Sequence, residues 1–170
     1  MTSQDINHIL QALDGSRAEL HTATEGLNDE QTSTRPAPDR WSVLDCVEHL
    51  FVVEGRVLAR LENPEKTLAP AASAEREQKL TSVEKRDARF SAPEAILPVG
   101  RFTSLTQALD SFDAARTRTI AFANSRGAGV YSISIVHPVF GPVNGADTLI
   151  LAAAHTRRHI DQIREVRVIL

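Results

Sequence analysis

Residues 40–64 read RWSVLDCVEHLFVVEGRVLARLENP, and their pattern is that of a helix with one buried face. Ser42 is a good N-cap, and Asp45 follows three positions later, a capping-box pair at the positive end of the helix dipole. Leu44, Val47, Leu50, Phe51, Val57, Leu58 and Leu61 recur at helical spacing, and Asn63-Pro64 ends the run. Three further segments share this period. Residues 3–26 place Ile6, Ile9, Leu10, Leu13 and Leu20 on one face, with Gly26 as a stop. Residues 104–124 do the same with Leu105, Leu109, Phe112, Ile120 and Ala123. The last segment starts near Asn144, which can cap it with Asp147 three positions on. It runs through Leu149, Ala152, Ala153, Ile160, Ile163 and Val166 towards the end of the chain.

The stretches between them are of a different kind. Residues 28–40 contain Arg35-Pro36-Ala37-Pro38, which cannot continue a helix. Residues 62–102 are punctuated by Pro64, Pro70, Pro93 and Pro98, with a polar helical patch at 73–85. So long a connector reads as a crossover between parallel helices that also covers one end of the domain. Residues 130–136, VYSISIV, alternate as a strand does, but one strand is not stable alone, so they read as an extended connector packed on the helices. The expectation is an all-α fold: a four-helix bundle with one long crossover, residues 1–170 forming a single domain. Phe51 and Phe112 are the expected centres of its core. Val57, Leu58 and Leu61 near a helix end read as an apolar patch of the kind that marks association, so a homodimer is expected.

Composition excludes several classes. At 42% hydrophobic and 24% charged the chain is ordinary globular material. A net charge of -3 gives no basic field for a nucleic-acid backbone. No apolar run reaches the roughly 20 residues a membrane helix needs, and residues 1–10 lack the pattern of a signal peptide. Cys46 is the single cysteine, which excludes an internal disulfide framework and a multi-Cys zinc site and makes the cytoplasm the expected compartment.

The chain has six histidines. His155 and His159 stand four apart on the last helix, so both imidazoles leave one face about a turn apart, as two ligands of one metal ion do. Six histidines produce such a pair by chance often enough that spacing alone leaves a solvated pair beside Arg157 and Arg158 equally open. Residues 149–154 are apolar on almost every side, which draws His155 inwards. His49 sits among Val47, Leu50 and Phe51, where an unpaired imidazole is costly. A metal shared with the other pair would satisfy it, and so would a bond to Asp45 or Glu48. Gln162, three positions after His159, can bond a ligand or serve the core. Asp45 and Glu48 are candidates to orient an imidazole, although Glu48 also reads as a solvated neighbour. Cys46 reads as a small buried residue. Tyr131 is the only phenol, and nothing assigns it a role. His8 and His21 lack matching levels, and His137, before Pro138, reads as turn chemistry.

The stretch Arg40-Trp41-Ser42 through His49-Leu50 resembles the second-helix signature of the DinB-like family, W-S…H-L. His137-Pro138-Val139-Phe140-Gly141, followed by His155-x-x-Arg158-His159-x-x-Gln162-Ile163, resembles that family's fourth-helix signature, and the connector Ala92-Pro93…Pro98-x-Gly100 is similar to the family's own. The resemblance implies an up-up-down-down four-helix bundle and a divalent metal, zinc or nickel, on His49, His155 and His159. It further implies a metal-dependent enzyme acting on a small-molecule substrate. The family includes bacillithiol S-transferases, mycothiol-dependent isomerases and members described only as metal-dependent hydrolases. Three neutral imidazoles leave the metal's charge uncompensated, so a thiol or water beside it becomes more acidic. Transfer of a low-molecular-weight thiol is the first expectation, because no general-base carboxylate is evident. Metal-dependent hydrolysis is the alternative, and a non-catalytic, metal-stabilised binding protein is the third. Substrate selection is expected from residues 62–102.

Overall fold

The computed structural model describes residues 6–86 and 91–170. Helix α1 spans Asn7–Thr24; the expected start near Ser3 lies outside the described residues. Gly26, at φ +76°, takes the chain out of the helix in a conformation that costs other residues more. The expected helix-free connector holds one short helix, α2 (Asp29–Ser33), whose cap residue Asn28 and Gln31 satisfy each other's backbone N–H groups. Helix α3 (Val43–Glu62) starts at the expected box: Asp45 N–H donates to Ser42 Oγ at 3.0 Å, and Ser42 N–H donates to Asp45 Oδ2 at 2.9 Å. The crossover carries helix α4 (Ala74–Thr81) and short 3₁₀ turns at Ser82–Glu84 and Glu94–Ile96. Helix α5 is Leu105–Arg126, and helix α6 is Gly145–Ile169, opened by the Asn144–Asp147 box.

The segment read as a lone extended connector is different in two ways. Its first part winds into a 3₁₀ turn, Gly127–Ser132, and strand β1 (Ser134–His137) starts only after it. β1 also has a partner: β2 (Gly141–Asn144) pairs with it antiparallel, Ser134 opposite Asn144 and His137 opposite Gly141. Period-2 reading missed β2 because its residues, Gly-Pro-Val-Asn, do not look like a strand. Pro142 is tolerated because a two-stranded ribbon has a free edge. His137 closes the hairpin by accepting from Val139 and Phe140 N–H at Nδ1, which is the turn chemistry expected of it.

The four long helices form the expected bundle. Its directions follow from who meets whom. Arg17 meets Thr117 and His21 meets Asp113, so α1 and α5 are antiparallel. Gly15 lies by Arg157 and Ala23 by Arg167, so α1 and α6 are parallel. His49 lies by His155 and Leu61 by Gly145, so α3 and α6 are antiparallel. The order along the chain is therefore up-down-down-up, which differs from the up-up-down-down order implied by the resemblance. It makes α3 and α5 parallel although they are consecutive among the long helices, and such a pair requires a long crossover like the one that joins them.

Two apolar clusters fill the bundle. One gathers Ile9, Leu13, Leu61, Val130, Val143 and Leu149; the other gathers Leu20, Val47, Leu50, Phe112, Ile160 and Ile163. Full burial of each such side chain contributes about 1.5–3 kcal/mol. Phe112 is fully buried, as expected. Phe51 is only half-buried and packs edge-on against Phe102, so it lies at the rim rather than the centre. Val57 and Leu61 are buried within the chain and Leu58 is half-buried. The apolar patch that motivated a homodimer is thus consumed by the chain's own core.

Between the clusters lies a polar layer. The Arg116 guanidinium, with no exposed side-chain surface, forks onto Glu54 at 2.8 and 2.9 Å. Its remaining N–H groups donate to Leu13 O, Ser16 Oγ and Thr156 Oγ1 at 2.9–3.0 Å. All five donors are used, and the five bonds tie together α1, α3, α5 and α6. Among the described residues no helix is long and apolar enough to cross a membrane.

Candidate metal centre

One turn from this layer, α3 and α6 bring His49, His155 and His159 together. One ring nitrogen of each lies within 4.8 Å of the others. The Nε2 atoms of His49 and His155 are 3.3 Å apart, and those of His155 and His159 3.2 Å. His155 and His159 meet because they are four apart on α6. His49 meets them because α3 runs antiparallel beside α6.

The outward nitrogens settle which inward ones carry lone pairs. His49 Nδ1 lies 2.8 Å from Ile96 O. A carbonyl only accepts, so Nδ1 is the protonated nitrogen and Nε2 presents a lone pair. His159 Nδ1 lies 3.0 Å from Gln162 Oε1, which also accepts from Arg86 Nη1 at 3.1 Å. Arginine only donates, so the oxygen faces this way and His159 Nε2 is again the lone-pair nitrogen. Two inward acceptors flank His155 Nε2, whose single proton could serve only one of them well. A cation serves all three. The edges of a tetrahedron of zinc–nitrogen bonds are about 3.3 Å, so the donor set fits such an ion in type and spacing.

The electrostatics agree. Burial lowers the His49 pKa, opposed by its bond to Ile96. Burial, then the neighbouring His49, Arg158 and Arg116, push His155 down to about 3. Burial, then His155 and His49, hold His159 well below 6.5. All three are neutral at pH 7, the form that ligates. Between pH 6.5 and about 3 an unfolded chain therefore takes up a proton that the folded chain refuses at His155. Without metal, stability should be greatest above pH 6.5 and fall on acidification by about 1.4 kcal/mol per pH unit for each such imidazole. Urea midpoints at pH 7, 6 and 5 check this, with a shallower slope expected for His155→Ala. A flat wild-type profile would show that the rings take up protons in place.

Other groups complete the site. The Trp41 indole stands 4.9 Å from the His49 ring and is stacked at 5.8 Å on that of His159. Gln162 comes to His159, as its spacing allowed. Asp45 does not orient an imidazole: it caps α3 and pairs with Arg35 at 2.8 Å. Glu48 is neither a solvated neighbour nor an imidazole partner. It is 1% exposed, and it accepts from the N–H groups of Val99, Gly100 and Arg101 and from the Arg101 guanidinium at 2.7–3.1 Å. That grip docks the end of the crossover on α3 and sets Ile96 O over His49. Cys46 is fully buried, and burial pushes its thiol up, which makes it unreactive. Tyr131 packs against the cluster at the α6 N-terminus. His21 pairs with Asp113, and His8 is 3.8 Å from Glu77.

Sequence reading did not find Arg86, Ile96 or a role for Trp41. Trp41 and His49 carry a signal in the W-S…H-L spacing. A backbone carbonyl such as Ile96 O carries none.

A sequence model of the DinB superfamily matches residues 12–163. The chain is 25% identical over 152 residues to the uncharacterized protein YuaE of Bacillus subtilis (strain 168), covering 89% of this chain and 93% of that one. Among solved structures it is similar to YfiT from Bacillus subtilis, with a TM-score of 0.66 and 21% identity over 99% of this chain and 89% of that one. YfiT is described as a probable metal-dependent hydrolase with an unusual four-helix bundle topology. At that identity the likeness shows the fold alone.

Proposed function

The chain belongs to the DinB superfamily, and from that premise we propose that it is a metal-dependent enzyme. His49, His155 and His159 hold one divalent cation, and the substrate is a small electrophile. The observation that carries this reading is the convergence of the ring nitrogens, with two tautomers fixed from outside so that lone pairs face inwards. An all-imidazole set suits zinc or nickel. Such a cation keeps its full charge and lowers the pKa of a nucleophile placed against it.

The chain's own residues do the remaining work. Ile96 O and Gln162 Oε1 hold the outer imidazoles in their ligating tautomers. Trp41 covers the rings of His49 and His159 and keeps water from that side. The crossover closes over the same end of the bundle, where it can select substrates. Among the described residues, the carboxylates nearest the site are engaged: Glu48 by the crossover, Glu54 by Arg116, Asp45 by Arg35, Glu165 by Arg86. A nucleophile that needs no separate base suits such a site, which favours a low-molecular-weight thiol transferred to the electrophile. A thiol cosubstrate also suits the cytoplasm, the compartment expected from a lone cysteine. Hydrolysis is the second reading, favoured by the description of YfiT.

The test is a panel of bacillithiol-, mycothiol- and glutathione-type thiols against common electrophiles, run with metal-loaded wild-type and His159→Ala protein. Transfer that needs both metal and His159 is the expected result. Metal-dependent hydrolysis of esters or amides without thiol would replace the first reading with the second. A metal that raises thermal stability by mass action while neither activity depends on it would make the chain a binding protein.

A further inference from the structure

Arg86 lies on the crossover, outside every motif that singles out the site, yet it reaches the Gln162 oxygen that faces His159. Its Nη1 donates to Gln162 Oε1 at 3.1 Å, while Nε and Nη2 are held by Glu165 at 3.0 and 3.3 Å. The Gln162 oxygen thereby receives two donors, Arg86 and His159 Nδ1.

We propose that Arg86 is a positioning residue that fixes the ligating tautomer of His159 by forbidding the flip of the Gln162 amide. A side-chain amide can present either its oxygen or its NH₂ to a neighbour. With the oxygen towards His159, Nδ1 is protonated and the Nε2 lone pair faces His155. With the NH₂ towards His159, Nδ1 becomes the acceptor, Nε2 takes the proton, and the ligand is lost. Geometry at Gln162 alone does not choose between the two. Arg86 does, because a flipped amide would set NH₂ against a guanidinium that has only donors. The crossover thus fixes both outer ligands, His49 through Ile96 O and His159 through Arg86. This inference rests on the metal reading above for its purpose, but its tautomer claim holds without metal.

Coulomb's law and positioning predict opposite signs. Removing a cation beside a dication should tighten metal binding; losing the tautomer lock should weaken it. We expect Arg86→Ala to weaken zinc binding about 10–100-fold, the range typical of lost outer partners of ligating histidines, read by competition with a chromophoric chelator. Arg86 is part-exposed, so unfolding is not the expected cause, and the urea midpoint of the metal-free protein should be unchanged at pH 7. Long-range ¹⁵N NMR of the metal-free protein should show His159 protonated at Nδ1 in the wild type and as a mixture of tautomers in Arg86→Ala. In a Gln162→Glu background the side chain has no NH₂ to present, so Arg86→Ala should change zinc affinity by less than about threefold. Arg86→Lys, which keeps a donor, should restore part of the loss.

Unchanged or tighter zinc binding in Arg86→Ala would overturn the proposal. So would an equal loss in both backgrounds, or an unmixed Nδ1–H tautomer in the variant. A wild type that binds no zinc or nickel would instead overturn the metal reading, and the NMR comparison would still decide the role of Arg86.

Discussion

His155→Ala should lower metal affinity by at least tenfold, so that protein purified under limiting metal carries little of it. Its Nε2 is the middle atom of the three, 3.3 Å from that of His49 and 3.2 Å from that of His159. Without it the other two nitrogens cannot enclose an ion. Lost outer partners of metal-ligating histidines already cost 10–100-fold, and a lost ligand should cost no less. Elemental analysis of wild-type and variant protein checks it, with His8→Ala, His21→Ala and His137→Ala as controls that keep their metal. Full stoichiometric metal in His155→Ala would sink the three-histidine site. If His137→Ala lost metal while His49→Ala kept it, the third ligand would be misassigned.

The second large effect concerns stability. Glu54→Ala should cost about 3–5 kcal/mol, the range for breaking a buried ion pair by removing one partner. The guanidinium of Arg116 would keep its bonds to Leu13, Ser16 and Thr156 but lose both bonds to the carboxylate. Its charge would then be buried and uncompensated. Against a total stability of about 5–15 kcal/mol for a domain, such a loss is severe. Replacing both partners, Glu54→Leu with Arg116→Met, should recover much of it, because matched apolar pairs often equal a buried ion pair. Urea midpoints at pH 7 read the comparison. A loss under about 1 kcal/mol in Glu54→Ala would mean that water reaches the guanidinium, contrary to the closed layer described above.

The polar layer and the metal centre are neighbours through Thr156, which bonds Arg116 and follows His155 on α6. The layer joins the four long helices at one level, so it fixes the height of α3 against α6. That height decides whether His49 meets the pair on α6. The layer was not legible in the sequence. Glu54 and Arg116 look like ordinary helix-surface charges when each is read on its own helix, and only their mutual burial gives them a core role.

The sequence by itself determined the local units, and its family resemblance named the three histidines that the fold brings together. Apolar period, Ser42 with Asp45, and Asn144 with Asp147 depend on residues within a few positions of one another, so they are readable in one dimension. The spacing of His155 and His159 is of the same kind. Tertiary structure decided what depends on contacts between distant segments. It paired β2 with β1 although Pro142 hides it. It ran α3 against α6, turned Glu48 from a surface charge into the anchor of the crossover, and buried Val57 and Leu61 within the chain. Above all it set Ile96 O and Arg86 behind His49 and His159. The tautomer of an imidazole is chosen by whatever faces its other nitrogen, and across a crossover that partner is fixed only when the chain has folded.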